Sequence, residues 1–167
     1  SIADPDLIAR IARLGLQVCT QPLFIRSEKD WLPARLGAER TPHVYPFRDF
    51  FAAGIPLAGS SDAPIERPDV IAAIDFAVNR GGFHPEQGVT PEQAVAMFTR
   101  NAAFVQFEEA EKGALEAGKV ADMVILSASP LNVPAERLGE IKVLRTMIAG
   151  AFVHTTGTAA AGQAGNP

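Results

Sequence analysis

The residues whose types and order could do chemistry are Ser60-Ser61-Asp62, which interrupt an apolar stretch of the chain. The run of residues 55–59 before them predicts a short buried strand, so the carboxyl group of Asp62 comes just past the carboxyl end of that strand. Enzymes built on α/β barrels keep their catalytic groups in this position. Pro64 disfavours helical geometry at the residue before it, which keeps Asp62 at the strand end. The local sequence leaves two interpretations of Asp62 open, a catalytic carboxylate or the cap of a following helix.

The composition is that of one globular, core-forming domain. The chain has 167 residues, of which 47% are hydrophobic and 20% are charged, and these fractions are typical of a folded protein. The net charge of −4 comes without a basic stripe, so nucleic acid is not an expected partner. No apolar run reaches the roughly 18 residues that a membrane-spanning helix needs, and a membrane partner is not expected either.

Cys19 is the single cysteine of the chain. One cysteine excludes an internal disulfide and fits a reducing compartment, so we expect a cytoplasmic location. Because Cys19 falls within an apolar run, we expect a buried structural thiol and not a nucleophile.

The first part of the chain alternates helices with uniformly apolar strands. One helix is predicted from the cap Asp4 to Gly15, and another from Pro46 to Gly54. Residues 16–20 and 55–59 are predicted to form the strands that follow them, and the polar residues 26–45 to form a loop. Parallel strands covered by helices have this order and this apolar pattern.

After Asp62 the pattern becomes helical and then changes to short strands. Helices are predicted over residues 70–78, after a capping box that begins at Thr90, and after Asn101 as a cap. Three later apolar runs predict strands, and the last two are joined by a hairpin turn at Ala149-Gly150. We expect all three to pair in one sheet, because a hairpin alone is marginal in water. The strand runs are residues 120–126, 141–148 and 151–155.

This change of pattern predicts a domain boundary near residue 112. Residues 1–112 form the alternating unit and residues 113–156 the β-rich unit. Residues 157–167 are small and polar, and we predict that they are disordered because they cannot bury apolar area.

Several landmarks together resemble the metal-dependent amidohydrolases, and in particular their amidohydrolase 3 branch. The glycine pattern of residues 113–126 matches the family's return linker and strand and is the most specific of them. The landmarks extend over residues 1 to about 156 in the expected order. They are Gly59-Ser60-Ser61-Asp62-Ala63-Pro64, the run Lys112-Gly113-Ala114-Leu115-Glu116-Ala117-Gly118-Lys119-Val120-Ala121-Asp122-Met123, and Gln21-Pro22, Trp31, Leu36-Gly37, Glu39-Arg40 and Tyr45-Pro46-Phe47-Arg48.

The resemblance implies an α/β fold: the C-terminal part of a TIM-like (β/α) barrel followed by strands of a small composite sandwich. Residues 16–20 and 55–59 would be the seventh and eighth barrel strands. In this family one or two divalent metals, commonly zinc, sit at the barrel mouth. The chain lacks the family's His-x-His motif and the earlier strands with their ligands, so it resembles only the C-terminal third of a member.

By the same resemblance Asp62 is the metal ligand and the catalytic residue that moves a proton from a metal-activated water. Trp31, His43 and Arg48 lie where loops shape the substrate pocket, although ordinary packing and solvation are the favoured explanation of each. His84 and His154 are expected in a turn and on the surface. Asp122 is expected to make a backbone contact at a strand edge.

Two hypotheses of different classes follow. The first is the C-terminal portion of a metal-dependent hydrolase that cleaves C–N bonds of a small-molecule substrate, and this chain alone would be inactive. The second is a non-catalytic α/β module that associates with itself or serves binding. In either case we expect a homo-oligomer or a complex with the missing N-terminal portion, because strands 16–20 and 55–59 would each have an unpaired edge.

Overall fold

The computed structural model describes residues 1–156, and within them it contains two separate β-sheets with helices packed on the first. The tail of residues 157–167, for which disorder is predicted, lies outside the described residues. No helix within residues 1–156 is both long enough and apolar enough to cross a membrane.

The first sheet consists of two parallel strands, β1 (Val18–Thr20) and β2 (Leu57–Gly59). Val18 lies opposite Leu57 and Thr20 opposite Gly59. A helix precedes each strand, α1 (Pro5–Arg13) and α4 (Phe47–Ala52). The predicted parallel pairing is confirmed, and each strand is shorter than its apolar run.

The start and the end of α1 follow from its flanking residues. Asp4 caps the helix, since its side chain accepts a hydrogen bond of 2.8 Å from the Leu7 amide. Pro5 at the first position has no N–H that would need a partner. The chain leaves the helix at Gly15, whose φ of +63° is a left-handed conformation that glycine adopts without strain.

The predicted loop of residues 26–45 is wrong, because most of this segment is helical. It contains α2 (Phe24–Glu28), α3 (Leu32–Arg40) and a short 3₁₀ turn over Thr41–His43. Its prolines suggested a loop, but Pro33 and Pro42 lie in the first turn of α3 and of the 3₁₀ helix, where the missing N–H costs nothing.

Three further helices cover the first sheet. The capping box at Thr90 is confirmed, with both of its hydrogen bonds to Gln93. Asn101, however, is not a cap: the last of the three helices begins after Thr99, and the Asn101 side chain donates instead to the Leu57 carbonyl at 3.0 Å. That carbonyl is on the edge of β2 away from β1, so the Asn101 side-chain amide satisfies a backbone group that no strand of the described residues reaches. The three helices are α5 (Val70–Val78), α6 (Pro91–Met97) and α7 (Arg100–Val105).

The second sheet is antiparallel and contains three strands in sequence order. They are β3 (Met123–Leu126), β4 (Val143–Ile148) and β5 (Ala151–Thr155). The predicted pairing of the three strands is therefore confirmed. Ala149 and Gly150 form the turn with φ values of 48° and 82°, as a two-residue hairpin requires. The Asp122 carboxylate accepts a 2.8 Å hydrogen bond from the Ala149 amide, so its backbone contact is with this turn.

The hydrophobic core lies between the first sheet and its helices, whereas the second sheet is largely exposed. Val124, Ile148 and Val153 on the second sheet each expose more than half of their surface. The core is formed mainly by fully buried side chains of the first unit, including Ile25, Phe47, Phe50, Leu57 and Met97.

Arg80 is a charged residue buried completely within this unit. Its guanidinium donates to the carbonyls of Phe83 at 2.9 Å and Tyr45 at 3.0 Å, and lies over the Phe47 ring. Burial lowers the pKa of Arg80 to about 10, so the group is still charged at neutral pH. The Arg80 side chain thereby fixes the start of α4 to the residues that follow α5.

Candidate functional site

Asp62 lies just beyond the carboxyl end of β2 and is exposed to solvent. Its carboxylate has no hydrogen-bond partner within the described residues. The helix that follows is capped by a different residue, Asp69, whose side chain accepts from the Ala72 amide at 3.0 Å. The interpretation of Asp62 as a helix cap is therefore wrong, and its carboxylate is free to bind a ligand.

Ser60 joins the ends of the two parallel strands next to Asp62. Its amide donates to the Thr20 carbonyl at 2.8 Å, and its hydroxyl accepts from the Gln21 side-chain amide at 2.9 Å. The carboxyl ends of parallel strands meet at one edge of the sheet, where α/β proteins bind their ligands. The Gln21–Ser60 contact thus fixes the backbone two residues before Asp62.

Gly59 is required by a close contact with an aromatic ring. A β-carbon added at Gly59 would lie 2.4 Å from Cζ of Phe98, which is far inside van der Waals contact. Beside the ring is a cleft of about 270 Å³ that Ser60, Ser61 and Val70 also line. The glycine before the two serines therefore lets α6 and the residues after it pack directly on the end of β2.

Glu66 is a part of this region that the sequence did not indicate. Its side chain is buried, with a residue exposure of 8%, and it forms a salt bridge of 3.0 Å with Arg26. The Ser27 hydroxyl donates to its other carboxylate oxygen. A glutamate in a polar stretch gives no sequence signal of burial, since its partners lie about 40 positions earlier.

The three predicted substrate residues are not brought together by any contact in the structure. Trp31 donates its indole N–H to the Ser27 carbonyl at 3.1 Å and stacks under the Arg35 guanidinium. His43 lies half-buried in the 3₁₀ turn. Arg48 is exposed at the start of α4 and makes a long contact of 3.4 Å to the Glu86 carbonyl. Only Trp31 is linked to the Asp62 region, through Ser27 and Glu66.

Within residues 1–156 no group of three or more His, Cys, Asp or Glu side chains could hold a metal ion. His84 adopts a left-handed turn with its ring 3.0 Å from Glu86, as expected of a turn residue, and His154 is exposed on β5. A metal centre at the mouth would therefore need ligands beyond Asp62 from outside the described residues.

The expectation of a buried thiol at Cys19 is wrong, because the side chain is exposed. Cys19 is the central residue of β1, and the next residue, Thr20, is fully buried. Successive side chains of a strand point to opposite faces, so within the described residues one face of β1 is covered by helices and the other is open.

The chain is similar to known proteins in both sequence and structure. The model of the amidohydrolase family matches residues 1–154. The chain is 30% identical to YtcJ of Bacillus subtilis (strain 168) over 92% of this chain and 30% of that protein. It is also 30% identical to an N-substituted formamide deformylase of Arthrobacter pascens, over 89% of this chain and 29% of that protein.

A solved structure of a metal-dependent hydrolase is also similar to this chain. The crystal structure of an uncharacterized metal-dependent hydrolase from Pyrococcus furiosus superimposes with a TM-score of 0.73 and 35% sequence identity. That match covers 79% of this chain and 28% of the other. The chain thus spans about a third or less of the length of these relatives.

The contact between Gly59 and Phe98 can be tested by substitution. Gly59→Ala should lower the free energy of unfolding by about 1–3 kcal/mol, because the added methyl overpacks the site. Phe98→Leu removes the ring atoms that the methyl would meet, so the cost of Gly59→Ala should be smaller in that background. Urea unfolding of the four proteins measures both costs, and equal costs would contradict the packing argument.

Proposed function

The chain belongs to the amidohydrolase family, and on this basis we propose that it is the C-terminal portion of a metal-dependent hydrolase of C–N bonds. In this proposal residues 1–112 complete a TIM-like barrel and residues 113–156 belong to a small β-sandwich. The observation that carries the proposal is the place of Asp62. Its exposed carboxylate has no partner within residues 1–156 and comes directly past the carboxyl end of a parallel strand, where barrel enzymes place catalytic groups.

The described residues supply only part of the ligands that a metal site needs. Asp62 supplies one oxygen ligand of the kind that divalent metals accept, whereas a catalytic zinc site usually has three protein ligands. We propose that the remaining ligands come from the part of the enzyme outside this chain, and that the metal is zinc. A divalent metal in such a site supplies acidity, because it lowers the pKa of a coordinated water towards neutrality.

The role of Asp62 follows from the chemistry of a carboxylate. Such a group can take a proton from the attacking water and later return it to the leaving nitrogen. The contacts of Ser60 with Thr20 and Gln21 hold the backbone just before Asp62.

We further propose an amide-like substrate. The relative from Arthrobacter pascens is named for the deformylation of N-substituted formamides, which is the cleavage of a C–N bond. Trp31, His43 and Arg48 remain candidates for substrate contacts. Trp31 is the one with a structural link to the Asp62 region.

The experiment that tests the proposed role is Asp62→Asn in the full-length enzyme. Turnover should fall at least about a hundredfold with the fold retained, because the amide has the same shape but cannot accept a proton. Asp69→Asn is the matched control, since asparagine caps a helix as well as aspartate does. Turnover of Asp62→Asn at the level of the unchanged enzyme would refute the catalytic role.

The ligand count gives a prediction for the chain alone. The 167-residue chain should show no hydrolase activity and no tight stoichiometric zinc, because one carboxylate cannot replace a set of three ligands. Isothermal titration with zinc is the measurement. Micromolar or tighter binding that disappears in Asp62→Ala would show that this chain holds a metal site of its own.

The unpaired outer edges of β1 and β2 give a prediction for the oligomeric state of the chain. Within the described residues β1 and β2 pair only with each other. Cys19 in β1 and Leu16 just before it are exposed. Open edges recruit other strands, so we expect the isolated chain to form a dimer or a larger oligomer, or to bind the N-terminal portion. Light scattering that shows a compact monomer at high concentration would instead favour the alternative of a self-contained, non-catalytic module.

A further inference from the structure

The segment that carries Asp62 is exposed except at one acidic residue. Asp62, Ala63 and Pro64 are exposed, and Ile65 exposes 68% of its surface. Glu66 is the one buried residue between Gly59 and α5. Apolar packing therefore does not hold this segment in place.

The Glu66 carboxylate contacts two side chains of α2. One oxygen lies 3.0 Å from Nη2 of Arg26, and the other accepts the hydrogen of the Ser27 hydroxyl. Arg26 is about half exposed, so it stays hydrated while it neutralises the buried charge. A buried carboxylate is tolerated only when it is paired and hydrogen-bonded in this way.

The segment of residues 60–66 is thus attached at both ends to one stretch of chain, residues 20–27. At the first end Ser60 bonds to Thr20 and Gln21, and at the second end Glu66 bonds to α2. Asp62 lies between the two attachments, and its carbonyl accepts the Ile65 amide at 2.8 Å.

The backbone of Asp62 itself requires such support. Its φ of 54° is in the left-handed region, which costs free energy for a residue with a side chain. A conformation of this kind persists only where its surroundings determine it. The attachment at Ser60 combines one backbone bond with two bonds of the Ser60 hydroxyl and restrains the chain before Asp62. The contacts of Glu66 are the ones that restrain the turn after Asp62.

We propose that Glu66 is a positioning residue that fixes the direction of the Asp62 carboxylate through its contacts with Arg26 and Ser27. This rests on the proposed role of Asp62. In this role Glu66 acts through Asp62 and does not itself contact substrate or metal. It acts by holding the turn from Asp62 to Ile65 in one conformation.

The first test follows the turn in the chain itself. Glu66→Gln keeps the shape of the side chain but removes its charge, and the Ile65 amide should then exchange its hydrogen about tenfold faster because the turn opens more often. Arg26→Lys keeps the cation and should restrain the turn, whereas Arg26→Gln should release it. Ser27→Ala is a milder variant, for use if Glu66→Gln fails to fold.

A matched control breaks an ordinary ion pair between the same residue types. Arg137 and Glu140 form a salt bridge of 2.9 Å on the surface, with about two thirds of each side chain exposed. Glu140→Gln should leave the exchange of the Ile65 amide unchanged. If Glu66→Gln and Ser27→Ala also leave it unchanged, Glu66 does not hold the segment and the proposal is wrong.

The second test asks whether Glu66 acts through Asp62. In the full-length enzyme Glu66→Gln should lower kcat about tenfold or more with little change in KM, because small displacements of a catalytic group cost that much. The same substitution should have no further effect in Asp62→Asn, since the group that it positions is already disabled.

The two proposals fail in different ways. Equal losses of kcat from Glu66→Gln in both backgrounds would mean a general structural role and would overturn the positioning role. Unchanged turnover in Asp62→Asn would refute the proposed function and, with it, the positioning of a catalytic group. The exchange of the Ile65 amide would still show whether Glu66 holds the segment.

Discussion

The structure around the candidate site depends on the hydrogen bond from the Ser60 amide to the Thr20 carbonyl, which closes the parallel pair at its carboxyl end. The strands have three residues each, so every ladder bond is a large share of their pairing. Because this bond comes at the end of both strands, it brings the residues after β1 and the residues after β2 to one edge. The segment that carries Asp62 therefore lies beside the residues that follow β1, which Ser60 and Glu66 contact.

Side chains from later in the chain hold the pair of strands β1 and β2 in place. Phe98 packs on the backbone at Gly59, and Asn101 satisfies the Leu57 carbonyl on the free edge of β2. Both residues come from α7 or the turn before it, more than 35 positions later in the chain. Short strands in water are marginal, and these tertiary contacts supply the support that strand length does not.

Features set by neighbours in the chain could be predicted, and features set by distant partners could not. The cap at Asp4, the capping box at Thr90 and the hairpin at Ala149-Gly150 are local patterns, and all three are present. The place of Asp62 at a strand end also followed from adjacent residues. In contrast, the burial of Glu66, the exposure of Cys19 and the bond from Asn101 to Leu57 depend on which elements meet in space. The helix α3 was missed for a different reason, because a proline at a helix start looks like a loop proline.

Arg80 has a consequence for how this unit can open. Its guanidinium is bonded to backbone carbonyls before α4 and after α5, and it has no carboxylate partner in a salt bridge within the described residues. If residues 44–47 moved away alone, the Arg80 cation would remain in the interior with unfilled hydrogen bonds, which costs several kcal/mol. If residues 80–83 moved away alone, the buried Tyr45 carbonyl would lose its hydrogen bond from Arg80. We therefore expect residues 44–47 and 80–83 to unfold together, as one cooperative unit. Evolutionary change in this region should be correspondingly concerted, with substitutions at one stretch accompanied by substitutions at the other.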